Sequence, residues 1–320
     1  MRDVTCLGIL VADVVARPVE GLPGRGKLAM LERIELQTGG NAANTAIALA
    51  KLGVSCAAAG CVGGDGFGEF LLHRLRESGV ETDDVVVDVA SRTASTVVLV
   101  APDGERSFLH DVGASGTVSA SRLDCERLLN TRFLNIGGAL VMPGIDGEPM
   151  ADLLHRARAA GVTTSLDVVW DPAGDWMSRL APCLPYVDYL LPSYEEASHM
   201  VNGITSVPEI ACRLQSLGAR NVGIKLGAEG CYLLLEGGRH VTVKAWSVPV
   251  SDTLGAGDAW VAGFLACLAR RWDPFAAAEF ANAVGALSVM GNGATSGVLP
   301  MEATLDWIAV HGRPVRTESP

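Results

Sequence analysis

Asp252-Thr-Leu-Gly-Ala-Gly-Asp258 runs directly into Ala259-Trp-Val-Ala-Gly-Phe-Leu-Ala-Cys-Leu-Ala-Arg-Arg271. The second part is apolar around most of a helical circumference and ends in two cations. That suits a buried helix whose C-terminal dipole is complemented by positive charge. The helix then starts at Gly255–Asp258, where small residues leave backbone N–H groups uncovered at the positive end of the dipole. Such a start is a local anion site. Asp258 would stand beside the bound anion, placed to take a proton from a hydroxyl attacking phosphorus in line. Helix capping is the plainer reading of the same aspartate.

Outward from this helix, short apolar runs alternate with amphipathic segments. Val4–Leu10, Ser55–Val62, Phe133–Ile136, Val162–Val169, Tyr186–Leu191 and Val222–Lys225 read as buried strands. Asn41–Leu52, Gly68–Ser78, Gly147–Ala160 and Val207–Leu217 read as helices, each followed by a glycine where a C-cap favours positive φ. Strand, helix, glycine, strand is the rhythm of a mostly parallel sheet covered on both faces, an α/β core. Val14–Gln37 and Arg92–Val112 break it with alternating, β-branched stretches and the turn Pro102-Asp103-Gly104. They read as hairpins outside the main sheet, together a small β lid. The expected division is residues 1–12, 38–91 and 113–312 for the core, 13–37 and 92–112 for the lid, and 313–320 as a frayed tail.

A length of 320 residues allows one large or two modest domains, and 49% hydrophobic against 19% charged residues is a globular balance. The 25 Lys and Arg against 36 Asp and Glu leave a net charge of −11, which argues against a broad nucleic-acid surface. Any anion must be bound locally. Eight cysteines without a CxxC pair read as reduced core residues. The charges within residues 1–20 leave no signal-peptide core, and no charge-free stretch resembles a bilayer span, so a soluble, cytoplasmic protein is expected.

Near the other end of the chain, Thr38-Gly-Gly-Asn-Ala-Ala-Asn44 leads into a helical run. Gly39 and Gly40 let the backbone approach a ligand, while Asn41 and Asn44 offer donors and acceptors suited to sugar hydroxyls. An asparagine N-cap after a turn would use the same residues. Asp13, after the first strand, could accept hydrogen bonds from two vicinal hydroxyls.

These two segments, in this order and separation, resemble the paired signatures of the ribokinase-like (PfkB) carbohydrate kinases. Val62-Gly-Gly-Asp-Gly-Phe-Gly68, Asp103-Gly-Glu-Arg-Ser-Phe108, Gly223-Ile-Lys-Leu-Gly-Ala-Glu-Gly230 and Phe280-Ala-Asn-Ala283 extend the resemblance over residues 3–305. It implies a ribokinase-like three-layer core with a lid. It also implies Asp258 as catalytic base, with the backbone of Gly255, Ala256 and Gly257 as anion hole, and Asp13, Gly39, Gly40, Asn44 and Asp258 around the sugar. Lys225, Gly227 and Gly230 then match a turn over the nucleotide phosphates, Asn282 a residue beside adenine, and Ser193 and Glu196 a nucleotide-side loop. ATP is implied, with Mg²⁺ carried on its phosphates and waters. In many relatives a K⁺-like monovalent cation lies behind the anion hole, which here would use Asp252 and carbonyls near Leu254 and Gly293. A satisfied loop carboxylate is the other reading of Asp252.

Two departures stand out. Ser193-Tyr-Glu-Glu196 keeps the glutamate of the family's Asn-x-x-Glu but loses the amide, and Gly137–Met142 lacks the acidic ligand of ribose-specific members. The expected activity is ATP-dependent phosphorylation of a hydroxyl, a primary one, on a sugar or sugar acid. A nucleoside acceptor, with Leu28, Met30 and Phe108 as walls, and a silent sugar-binding regulator are the alternatives. Arg106 and His110 could face the sugar or solvent. Lid strands with apolar alternation are expected to pair across a homodimer. Gly21-Leu-Pro-Gly-Arg-Gly-Lys27 fits seven positions of a Walker A loop, but Leu28 supplies no hydroxyl for Mg²⁺.

Overall fold

A computed structural model describes residues 1–319. The strands are β1 (Arg2–Gly8), β2 (Val11–Arg17), β3 (Arg33–Gly39), β4 (Cys56–Gly63), β5 (Glu81–Asp88), β6 (Ser95–Val100) and β7 (Arg106–Asp111). They continue with β8 (Thr131–Ala139), β9 (Thr163–Val168), β10 (Tyr189–Leu190), β11 (Asn221–Lys225), β12 (Cys231–Leu234), β13 (His240–Val243) and β14 (Arg316–Ser319). The helices are α1 (Asn41–Lys51), α2 (Gly66–Glu77), α3 (Cys125–Leu128), α4 (Glu148–Ala159) and α5 (Trp176–Leu180). After them come α6 (Tyr194–Met200), α7 (Val207–Ser216), α8 (Ala256–Ala269), α9 (Pro274–Ser288) and α10 (Met301–His311).

The main sheet has ten strands in the order β14-β13-β12-β11-β10-β9-β8-β1-β4-β5. Pairing is parallel from β11 through β5 and antiparallel from β11 out to β14. Helices cover both faces. One apolar cluster joins α1, α2, α8 and α9 to the sheet through residues such as Ile47, Leu71, Phe264 and Phe275. The other joins α4 and α7 through Leu153, Leu154, Ile210 and Leu214. Glycines 53, 79, 161 and 218, which follow α1, α2, α4 and α7, all hold positive φ, the conformation that lets a chain leave a helix and turn back into a strand without a Cβ clash.

A second sheet, β3-β2-β6-β7, is built from the two segments that broke the rhythm. β2 pairs antiparallel with β3 and parallel with β6, and β6 and β7 form a hairpin. The expected fraying of 313–320 is corrected: Arg316–Ser319 pairs with β13 as the sheet's edge strand, His240 opposite Ser319. Arg316-Thr-Glu-Ser319 is too short and polar to read as a strand, and the ladder to β13 supplies what its side chains do not. Pro320 lies outside the described residues. Among the cysteines none is paired, six are buried, Cys125 is half-buried and Cys212 is exposed rather than in the core.

Candidate active site

α8 is buried along nearly its whole length, and Arg270 closes it by donating to the carbonyls of Ala266, Leu52 and Gly53. Its N-terminus opens at Gly255, which is left-handed at φ 71. A Cβ there would approach the Ala294 Cβ within 2.5 Å, so only glycine fits this turn. The Ala256 N–H reaches the Thr253 carbonyl at 3.3 Å, whereas the N–H groups of Gly255, Gly257 and Asp258 find no acceptor among the described residues. The helix start therefore presents uncovered donors, and the Ala256 amide is partly engaged.

Asp258 does not cap the helix. Its carboxylate is buried and accepts hydrogen bonds from Asn41 Nδ2 at 2.8 Å and Asn44 Nδ2 at 2.9 Å, one on each oxygen. Both asparagines stand in the first turn of α1, three residues apart and so on one face. Burial pushes the Asp258 pKa up to about 6; the two amides and the Lys225 charge pull against that, and Glu196 adds to it. Asn44 Oδ1 is left buried without a partner.

Lys225, at the end of β11, lies beside the same helix start: a Cβ at Gly257 would meet its ammonium at 3.4 Å. Both oxygens of Asp167, at the end of β9, hold Lys225 Nζ at 2.8 and 2.7 Å. Burial pulls the Lys225 pKa down, but Asp167 and then Glu196 outweigh it and keep the ammonium charged. Asp167 escaped the sequence reading, although a carboxylate closing an apolar strand was a signal that it needed a buried partner.

Asp13 on β2 is buried, with Gln37 of β3 and Thr96 of β6 beside it in the small sheet. Gly39 packs on its carboxylate so tightly that a Cβ would come within 2.1 Å of Oδ2. Gly40, at φ 86, turns the chain from β3 into α1 against the Ile9 carbonyl. Burial pushes Asp13 up to about 6, opposed by the Thr96 hydroxyl and reinforced by the charge of Asp258. Asp13, Gly39, Gly40, Asn44 and Asp258 thus gather on one side of the α8 N-terminus.

On the other side lies a cavity of about 540 Å³ whose lining includes Lys225, Gly227, Gly230, Gly257 and Asn282, within the size range of small-molecule sites. Ala245, Trp246, Val248, Val250, Ala286 and Val289 give it apolar walls. Gly227 and Gly230 form the β11–β12 turn with positive φ, and a Cβ at Gly230 would strike the Val243 carbonyl. Asn282 is in the wall, but its amide is spent on protein: Nδ2 donates to the Val243 and Lys244 carbonyls and Oδ1 accepts from Trp260 Nε1. Ser193 and Glu196 cap α6 reciprocally, Ser193 N donating to Glu196 Oε2 at 2.7 Å and Glu196 N to Ser193 Oγ at 3.4 Å. They adjoin Lys225 through a bridge between Ser193 and Lys225.

Asp252 is a buried loop carboxylate with both oxygens hydrogen-bonded within the chain. Its Oδ1 accepts from Leu254 N and from Arg106 of β7, and its Oδ2 accepts from Gly293 N at 3.0 Å. No group of three or more His, Cys, Asp or Glu that could hold a metal occurs among the described residues.

Residues 1–301 match the pfkB family carbohydrate kinase profile. A fructokinase of Vibrio alginolyticus is 31% identical over 281 residues, covering 83% of this chain and 90% of its own length. An aminoimidazole riboside kinase of Salmonella typhimurium is 32% identical over 269 residues, 80% of this chain and 83% of its own. The structure of Arabidopsis thaliana ribokinase complexed with ribose and ATP superposes with a TM-score of 0.82 at 23% identity, covering 95% of this chain and 98% of that one. The fold is thus that of the ribokinases. The profile match and these relatives show that the chain belongs to the pfkB family of carbohydrate kinases, which transfer a phosphoryl group to an alcohol.

Proposed function

We propose that this enzyme transfers the γ-phosphoryl group of ATP to a primary hydroxyl of a sugar or sugar acid held between Asp13 and Asp258. The observation that carries the reading is Asp258 itself: a buried carboxylate, fixed at both oxygens by Asn41 and Asn44, next to the uncovered N–H groups that open α8. With a pKa near 6 it is mostly ionised at neutral pH, yet basic enough to accept the proton released as the hydroxyl oxygen attacks phosphorus. The new P–O bond forms in line as the bond to the β-phosphate oxygen breaks, and ADP leaves. The charge on the transferring group meets the amides of Gly255 and Gly257 and the Lys225 ammonium, all of them fixed before reaction.

The nucleotide fits the cavity beyond Gly257, with its base between Trp246, Val248 and Val289 and its phosphates toward Lys225. The Arabidopsis relative was solved with ATP. Asn282 holds the wall together rather than offering its amide to the base. Mg²⁺ bound on the phosphates would neutralise charge there, and Glu196, with Oε2 committed to its cap, would reach it through water. Asn44 Oδ1, buried and unpartnered, is an acceptor waiting for a substrate hydroxyl. The small sheet supplies Asp13 and would exclude water from the transfer.

No helix among the described residues is long and apolar enough to cross a membrane. The assembly we propose is a homodimer through the lid. Leu36, Val14, Val97 and Leu109 form one cross-strand row, and Ile34, Leu36 and Leu109 are 65%, 39% and 61% exposed. The test of function is ADP release on a panel of ketoses, aldoses, sugar acids and nucleosides. Acceptor-dependent release with one sugar class supports the reading. A nucleoside as sole acceptor would move it to the riboside side of the family, and ATP hydrolysis indifferent to every acceptor would refute it.

A further inference from the structure

Asp252 is buried two residues before Leu254 and three before Gly255, so its charge sits directly behind the uncovered amides of α8. Both carboxylate oxygens are already engaged: Oδ1 accepts from the Leu254 N–H at 2.8 Å and from the guanidinium of Arg106, which also reaches Thr253 Oγ1 at 3.3 Å, and Oδ2 accepts from the Gly293 N–H at 3.0 Å. A monovalent cation would need those carboxylate oxygens as ligands, and with a guanidinium and two N–H groups already on them Asp252 does not fit one. The charge that balances Asp252 arrives on a side chain of β7, at the far edge of the small sheet.

We propose that Arg106 is a resident substitute for a cation at this position and acts as a positioning residue, tying the lid to the turn that forms the anion hole. Leu254 is held by the same Asp252 oxygen that Arg106 grips, so the Leu254–Gly257 turn is braced when β7 lies over the core. From β3, Gln37 packs on Gly293, the other residue bound to Asp252, so both edge strands of the lid reach this loop. The consequence is an enzyme indifferent to potassium, in which lid position and anion-hole geometry are linked. Only the effect on turnover rests on the phosphoryl-transfer reading; the charge balance at Asp252 does not.

The experiment is thermal unfolding of the unliganded full chain in potassium chloride and in choline chloride of equal concentration. Wild type is expected to melt at one temperature in both. Arg106→Ala is expected to melt lower in choline chloride and to recover about 2–4 °C in potassium chloride, because a free ion can then enter beside Asp252. Arg106→Gln, which keeps the stem, gives the same comparison if the alanine variant does not fold. Adding Asp252→Asn to either variant should abolish the potassium response. With an acceptor in hand, Arg106→Ala should lose roughly 10- to 100-fold in kcat with a smaller change in KM for ATP, while wild-type turnover is equal in the two salts. A wild-type melting point or turnover that rises with potassium overturns the proposal. So does an Arg106 variant that ignores potassium, or a response that survives Asp252→Asn.

Discussion

Asp258 is positioned by two amides contributed from more than 200 residues earlier in the chain, Asn41 and Asn44 lying 217 and 214 positions away. Both amides stabilise the ionised carboxylate against burial, so the acid limb of the kcat/KM profile should fall near pH 6 in the wild-type enzyme. Asn41→Ala removes one of those donors, and the limb should move up in pH; an unchanged limb would separate Asp258 from the titration. Asp13 carries a different consequence. Its folded pKa, raised to about 6, lies above the ordinary carboxylate value of 3.8, so the folded state favours the protonated form. Stability is therefore lost as pH rises from about 4 through 6, up to about 3 kcal/mol for such a shift. Asp13→Asn should raise the melting temperature at pH 8, with no gain near pH 4, while weakening acceptor binding. A gain of equal size at both pH values would contradict the assignment. Gly255 and Asp258 were legible in the sequence because small residues mark the start of an apolar helix, whereas Asp13, read as a residue following the first strand, lies within β2 and meets Gly39 only across the small sheet. The Asp258–Asn41, Lys225–Asp167 and Arg106–Asp252 pairs were not, since pairing between distant segments follows from topology rather than from local pattern.

At the scale of elements, four predicted helices end within a residue of their observed ends, because each is stopped by a glycine that holds positive φ. The α8 start was legible for the same reason in reverse: small residues at a helix N-terminus leave its donors bare. Gly255→Ala tests that turn. The substitution puts a Cβ into Ala294 at a left-handed φ, so the turn must shift, costing about 1–3 kcal/mol of stability. Turnover should fall by roughly 10²-fold as the amides move. Wild-type turnover in a folded Gly255→Ala enzyme would remove the anion hole from the account. β12, β13 and β14 were the elements least readable. Cys231–Leu234 and His240–Val243 are four residues each and β14 is polar, so register with β11 and with one another decides them. The mostly parallel interior was readable because its strands are continuous apolar runs buried on both faces.

For the whole molecule, two sheets meet at the α8 N-terminus, the larger supplying Lys225 and Asp167 and the smaller Asp13 and Arg106. The outer row of the small sheet, Leu36, Val14, Val97 and Leu109, is only partly covered within the chain, and an isologous pairing of two lids would bury it. Sedimentation should give twice the chain mass of 33.4 kDa, and Leu109→Glu should shift it toward one chain; a monomeric wild type would count against the dimer. The claim on which all else depends concerns the proton at Asp258. The decisive measurement is acceptor-dependent ADP release by Asp258→Asn beside wild type, with ATP and acceptor binding followed by calorimetry. The account predicts both ligands still bound and turnover reduced by about 10²–10⁴-fold. Turnover near that of the wild type, with binding intact, would contradict it.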